Sequence, residues 1–315
     1  MKRFKNISLI YECDSSTLER AALLAKENRA RLTIVYPIKE IPAKSENAIV
    51  GQKPIDVRKL VLQEHEARLK EAAKSVRAFG VRPATRLLIG EPFLEIIRDV
   101  VEHDRDLVIL TAEGKGGLKE RLFGSTSTRL MRKCPSPVLV LKPARKKHFK
   151  QVLAAIDPEV TGDTHDTLNG VILELASSLS AREGAELHIV HAWTVIGESL
   201  LRERGGKYAA EVNRHVQEEG KRRRELIENL LARHSVTGHQ LHLLKGDAST
   251  VIPQLVTKLG IDVLVMGTVC RTGIPGFVIG NTAEQVLDAV DCSVFTVKPE
   301  GFVSPAAPLI SAAGG

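Results

Sequence analysis

Two stretches of this chain, "LLIGEP" at 87–92 and "DLVILTAEG" at 106–114, each reappear 156 positions later, as "LLKGDA" at 243–248 and "DVLVMGTVC" at 262–270. The same displacement carries Gly124 onto Gly280 and "VLVLKP" (138–143) onto "VFTVKP" (294–299). Separate elements holding one register are the mark of a duplicated unit. Upstream, "NISLIYECD" ending at Asp14 answers to "QVLAAID" ending at Asp157, and "ARLTIVYPI" answers to "AELHIVHAW". The second half has the longer segment between these first two runs. A chain of 315 residues gives each copy enough length to bury its own core.

Each copy holds five short runs rich in Val, Ile and Leu, separated by stretches of helical periodicity such as "STLERAALLAKENR" and "RKLVLQEHEARLKEAAKSVRAFG". Strands alternating with helices require right-handed crossovers and a mostly parallel sheet roofed on both faces. The expectation is therefore α/β: two tandem open parallel five-stranded sheets. The first domain covers 1–145 and the second 150–299, with "KPARKKHFK" as linker and 300–315 as a flexible C-terminal tail.

Composition narrows the function classes. With 43% hydrophobic, 26% charged and 4% aromatic residues, the chain is globular. No apolar stretch is long enough to span a membrane, and the N-terminal apolar run breaks at Glu12 and Asp14, so a cytoplasmic protein is expected. The four cysteines, Cys13, Cys134, Cys270 and Cys292, are scattered and read as reduced thiols. The net charge of +7 raises nucleic acid as a partner, but "ARKKHFK" and "KRRRE" have no interleaved aromatic residues for base stacking. Neither nucleic acid nor membrane is expected. His188, His191, His234, His239 and His242 include no pair at i, i+4 beside a carboxylate, so no metal site is expected.

In an open parallel sheet, ligands sit beyond the carboxyl ends of the strands, where strand order reverses. Two features fall at such ends in both halves: the aspartate closing the first run, and a glycine-bearing loop after the fourth. In the first half that loop is "EGKGGLKERLFGST", with Gly114, nine spacers, and Gly124 followed by Ser125. Glycine lets backbone approach a ligand, and a helix start offers free N–H groups and the positive end of the macrodipole. Ser125 or Thr126 would equally serve as an ordinary N-cap, so spacing alone leaves phosphate binding and plain capping both open.

Taken together, the Asp-ending first strand, the "IVY" and "IVH" second strands, the Gly-x9-Gly loop and the closing "SPVLVLKP" resemble the universal stress protein family in both halves. The resemblance implies an adenine-nucleotide alpha-hydrolase-like fold with strand order 3-2-1-4-5. By that resemblance the nucleotide-binding positions are Asp14, Val35, Gly114, Gly124 and Ser125 in the first domain. In the second they are Asp157, Val190, Gly267, Gly280 and Asn281. Both loops depart from the family's Gly-x2-Gly-x9-Gly-(Ser/Thr): Thr111 replaces the first glycine in one half, and Cys270 and Asn281 replace later positions in the other.

The resulting expectation is a non-catalytic stress-response protein that binds ATP or another adenine nucleotide, with Mg2+ for a triphosphate. The loop after the fourth strand would order on binding and alter a surface seen by a protein partner. A weak ATP hydrolase or phosphate-transfer enzyme is one alternative, although the loop lacks a Gly-Lys-(Ser/Thr) sequence and offers only Lys115 and Lys119 as cations. A scaffold, or a binder of a non-nucleotide ligand in the second domain, is another. In single-domain relatives the last strand makes a dimer, so the resemblance implies an intramolecular pseudo-dimer, with further homo-oligomers left open.

Overall fold

A strand buried on both faces is apolar over most of its length, and the first run of the chain buries Ile7, Leu9 and Ile10 beside the polar Asn6 and Ser8. A computed structural model describes residues 4–11, 14–40, 47–50, 53–112, 123–143, 148–158, 163–198, 209–268 and 280–306. The chain divides into two compact units, one built on Arg3–Lys147 and the other on His148–Ile274 and Val278–Gly301.

The first unit runs β1 (Asn6–Ile10), α1 (Ser15–Asn28), β2 (Arg31–Ile38), β3 (Asn47–Val50), β4 (Lys53–Asp56), α2 (Val57–Arg77), β5 (Ala84–Ile89), α3 (Pro92–Glu102), β6 (Leu107–Thr111), α4 (Ser125–Lys133) and β7 (Val138–Leu141). Its parallel sheet has the order β5-β2-β1-β6-β7, the expected 3-2-1-4-5. β1 and β6 are buried at every position. Ile7 pairs with Leu32 on one side and Leu107 on the other, so β1 is the strand at which the order reverses. The hairpin of β3 and β4, antiparallel from Asn47↔Asp56 to Val50↔Lys53, is an addition that the five-run pattern did not contain.

The second unit repeats the frame: β8 (Gln151–Ala155), α5 (Asp163–Glu183), β9 (Glu186–Trp193), α6 (Ala209–Arg233), β10 (His239–Lys245), α7 (Ala248–Leu259), β11 (Val263–Gly267), α8 (Asn281–Ala289) and β12 (Ser293–Val297). The strand order is β10-β9-β8-β11-β12. The expected apolar stripe of α6 is buried at Ile227, Leu230 and Leu231. Cys134 and Cys292 are buried and form no disulfide among the described residues; Cys13 and Cys270 lie outside the described residues. None of the helices among the described residues is long and apolar enough to cross a membrane.

Several repeated residues have a mechanical reason. Gly90 and Gly246 sit at φ +146° and +140°, and a Cβ there would meet Glu95 at 2.8 Å or Val251 at 2.7 Å. Asp106 accepts the Lys5 and Asn6 N–H groups at 2.6 and 2.9 Å, and Asp262 accepts those of Lys150 and Gln151 at 2.6 and 3.0 Å. Each carboxylate thereby ties down the leading edge of its unit's first strand. Of the segment after β12, residues 300–306 are described: Ser304 and Ala306 are buried, and the Ala306 N–H donates to Ser304 Oγ at 3.1 Å.

Beside Asp106 lies a buried ionic cluster. Arg105 donates from Nε to Asp99 Oδ2 at 3.0 Å, and from Nη1 to Asn6 Oδ1 and Thr33 Oγ1, both at 2.8 Å. Arg86 Nε lies 3.0 Å from Asp99 Oδ1. Removing one partner of a buried pair strands the other charge, which costs about 3–5 kcal/mol. Asp99→Ala is accordingly expected to lower the stability of the first unit by about 3 kcal/mol, read as a lower urea midpoint by circular dichroism; an unchanged midpoint would show that Arg105 finds water instead.

Candidate functional site

The carboxyl ends of β1 and β6 meet through side chains. Beyond β1, the Tyr11 N–H extends the ladder to Val35 O at 2.9 Å, and the chain then reaches Asp14, the N-cap of α1. Three donors converge on Asp14 Oδ2: Ser16 Oγ at 2.7 Å, Thr17 N–H at 2.8 Å and Thr17 Oγ1 at 2.6 Å. Thr111, the last residue of β6, donates from Oγ1 to Thr17 Oγ1 at 3.0 Å. Asp14 and Thr111 are thus joined across the point of strand reversal through one hydroxyl. Thr17 escaped the sequence reading, although an aspartate three residues ahead of a threonine at a helix start is a capping signal.

Burial works to raise the Asp14 pKa, but the side-chain and backbone hydrogen bonds of Thr17 and Ser16 outweigh it and hold the carboxyl below its ordinary value of 3.8. At neutral pH the group is an anion. It suits a hydroxyl donor, such as a sugar, and repels phosphate.

On the same edge of the sheet, α4 begins without a side-chain cap. Its N-cap is Gly124, at φ −72° and ψ 176°, and Ser125 is the first helical residue rather than the cap. Ser127 Oγ turns back to Gly124 O at 3.0 Å, as does the Thr128 N–H. The plain capping role considered for Ser125 and Thr126 is therefore absent, and among the described residues no side chain caps the first N–H groups of the helix. No acidic residue lies in this first turn. Phe123, buried just ahead, anchors the entry. Gly114, Glu113, Lys115 and Lys119 lie outside the described residues.

Val35 is fully buried, and its carbonyl accepts the Tyr11 N–H at 2.9 Å. Val190 repeats this, its carbonyl accepting the Ile156 N–H at 3.0 Å. In each strand the next residue on the same edge is two positions on, Pro37 or Ala192. Pro37 has no N–H, so that position can accept but not donate.

The second unit builds the same corner with different contacts. Asp157 is clamped through its backbone, its N–H donating to Asn169 Oδ1 at 3.1 Å while Asn169 Nδ2 donates to Asp157 O at 2.8 Å. His191 Nδ1 lies 3.2 Å from Ile156 O and 4.0 Å from Asp157 Oδ1. A Cβ on Gly267 would come within 2.8 Å of the Leu168 side chain, so packing against α5 by itself favours glycine there. Gly280 is again an N-cap without a side-chain bond and Asn281 the first helical residue, but Glu284 stands in the first turn of α8. A carboxylate there takes up the positive end of the helix that a phosphate would use. Cys270 lies outside the described residues.

Comparison with known proteins agrees with this duplicated frame. The sequence model of the universal stress protein family matches residues 11–142 and again 148–298. The chain is 27% identical to Universal stress protein E of Escherichia coli (strain K12) over 296 residues, 93% of this chain and 92% of that one. It is 25% identical to Universal stress protein E of Photorhabdus laumondii over 313 residues, covering 97% and 98%. Among solved structures, a functionally unknown protein from Pseudomonas aeruginosa PAO1 superposes with a TM-score of 0.74 at 25% identity, over 99% of this chain and 97% of that one. A universal stress protein from Archaeoglobus fulgidus shares the fold at a TM-score of 0.63 and 19% identity, over 93% and 98%.

Asp14→Ala removes the cap of α1 and is expected to cost about 1 kcal/mol. The folded carboxyl is depressed below 3.8, so its contribution is present above that value and lost as pH falls through the lower folded one. The difference between variant and parent in urea midpoint should persist down to about pH 5 and vanish in stronger acid.

Proposed function

We infer the function from what this chain is: it belongs to the universal stress protein family and carries two copies of that family's domain. It is a stress-response protein. We propose that the first domain is its nucleotide sensor, taking ATP or another adenine nucleotide beyond β1 and β6. The observation that carries this reading is the start of α4, where a glycine N-cap gives the first helical N–H groups no side-chain cap among the described residues and no acidic residue stands in the first turn. Phosphate would rest there, with Mg2+ neutralising a triphosphate. The Asp14 carboxylate would accept a ribose hydroxyl, which fits an anion that three donors already hold in place.

Binding becomes a signal only if the ligand prefers one state of the domain over another. The expected ordering of the loop after β6 falls on 113–122, outside the described residues. Among the described residues Ser125 is exposed at the helix start and none of the histidine contacts involves it, so no nucleophile–base pair on these residues supports the hydrolase reading. The second domain takes a separate reading. Glu284 in the first turn of α8 disfavours phosphate, which supports a scaffold role or a non-nucleotide ligand there.

Titration calorimetry of the full chain with Mg-ATP tests the assignment. Gly124 has a backbone conformation open to any residue, so Gly124→Val should fold while filling the phosphate position. Binding should weaken at least about tenfold. Unchanged affinity in a folded variant would remove phosphate from the start of α4. Phosphate release that disappears in Ser125→Ala would instead favour the hydrolase.

A further inference from the structure

Each unit has a polar row near the amino ends of its strands, and the two rows hold different kinds of charge. Followed through the duplication, Asn6 corresponds to Gln151, Thr33 to His188, Arg86 to His242, Asp99 to Leu255 and Arg105 to Ile261. The first unit fills these places with the cluster centred on Asp99 and Arg105, to which His103 is tied, its Nδ1 3.3 Å from Asp99 Oδ1 and its Nε2 2.5 Å from Arg86 Nη1. In the second, Leu255 and Ile261 are buried apolar residues, and the polar remainder is a line across three adjacent strands. Gln151 Oε1 on β8 lies 2.5 Å from His188 Nε2 on β9, and His188 Nδ1 lies 3.0 Å from His242 Nε2 on β10.

The donor pattern follows from Gln151. Its amide oxygen only accepts, so His188 carries its hydrogen on Nε2 and presents a bare Nδ1, to which His242 Nε2–H donates. His188 is neutral in this arrangement, since a proton on Nδ1 would leave no acceptor for the His242 N–H. His188 is 2% exposed, and the rings lie 5.2 Å apart at 33°. The charged groups facing the pair are few. Glu186 on β9 reaches within 3.9 Å of His188 Nε2 but is 63% exposed, and Gln240 on β10 donates to the same carboxylate at 3.5 Å. Lys258 on α7 faces His242, and Asp262 holds the backbone of Lys150 and Gln151. Protonating both rings would place like charges about 3 Å apart in a poorly hydrated site, where repulsion is strong.

We propose that the Gln151–His188–His242 row is an acid-sensitive catch: proton uptake by the imidazole pair loosens the β8–β9–β10 side of the second unit, whereas the first unit stays locked by Arg86, Asp99 and Arg105. Burial pushes both imidazoles below their ordinary value of 6.5; Glu186 partly offsets this for His188, whereas His188 and Lys258 reinforce it for His242. With folded values below the unfolded one, the unfolded chain takes up protons first. The contribution of the row is complete above 6.5 and is lost as pH falls through the folded values. The same β9 carries His191 and Trp193 at its other end, beside Asp157, so the catch sits on the strand that frames the second unit's crevice.

Trp193 is the chain's one tryptophan and is 8% exposed, so its fluorescence reports on the second unit. Urea unfolding of the full chain, followed by this signal at about pH 7.5 and about pH 5, should give a lower midpoint in acid. His242→Gln keeps an N–H donor for His188 and removes one titrating ring; its midpoint should fall by no more than about half as much. An unchanged parent midpoint would overturn the proposal, and so would a variant that falls as far as the parent, since the protons would then enter elsewhere, as at His191. If the variant fails to fold, hydrogen exchange of the parent decides. After correction for intrinsic rates, β9 and β10 should lose protection in acid while β2 and β5 keep theirs; equal loss in both units would overturn the catch.

Discussion

A parallel strand at the centre of a sheet has no edge to show to water: its backbone is satisfied by two neighbours and its two faces by helices. β1 and β8 are those strands, and the rest of each unit is arranged around the need to enclose them. Crossovers of one hand leave β1 toward β2 on one side, and the chain returns to β6 on the other. The carboxyl end of β1 is consequently the place where two connections diverge, and Asp14 and Thr111 stand on either side of it. The hydroxyl of Thr17 closes that gap with protein atoms at its base, and the start of α4 stands on the same edge with no side-chain cap among the described residues.

The two units show how one backbone tolerates different polar interiors. Where the first buries an aspartate between two arginines, the second puts leucine and isoleucine and keeps only imidazoles and an amide. A well-packed apolar substitute for a buried ion pair is often neutral in stability, so the exchange need not have weakened the second unit. It does change which variable the interior responds to. An imidazole pair can change its charge near neutrality, whereas the imidazole of the first unit's cluster, His103, is held against Asp99 and Arg86.

Much of the frame was legible because a duplication states the same structural demand twice. Gly90 and Gly246, or Asp106 and Asp262, recur since each backbone needs them at the same turn and the same strand edge. The hairpin of β3 and β4 was not legible: its strands are four residues long, one contains Pro54, and nothing in the other half echoes them. The reach of each ladder was harder still. Val35 stands out as an apolar residue near a strand end, but where a ladder stops depends on how far its neighbour runs, and Tyr11 extends β1 far enough to claim that carbonyl. Asn6, Thr33, Arg86, Asp99 and Arg105 are dispersed along the sequence, and only the stacking of strands gathers them.

The carboxylates of Asp106 and Asp262 bind backbone groups about a hundred positions earlier in the chain, with separations of 101 and 100 residues in one unit and 112 and 111 in the other. Contacts so distant are slow to find, because a long loop must close before any of them forms. During synthesis the opening strand therefore waits, with its leading amides unsecured by this clamp, until the fourth main-sheet strand has emerged. Each half thus has a late step in its assembly, and the first can finish closing while the second is still being made.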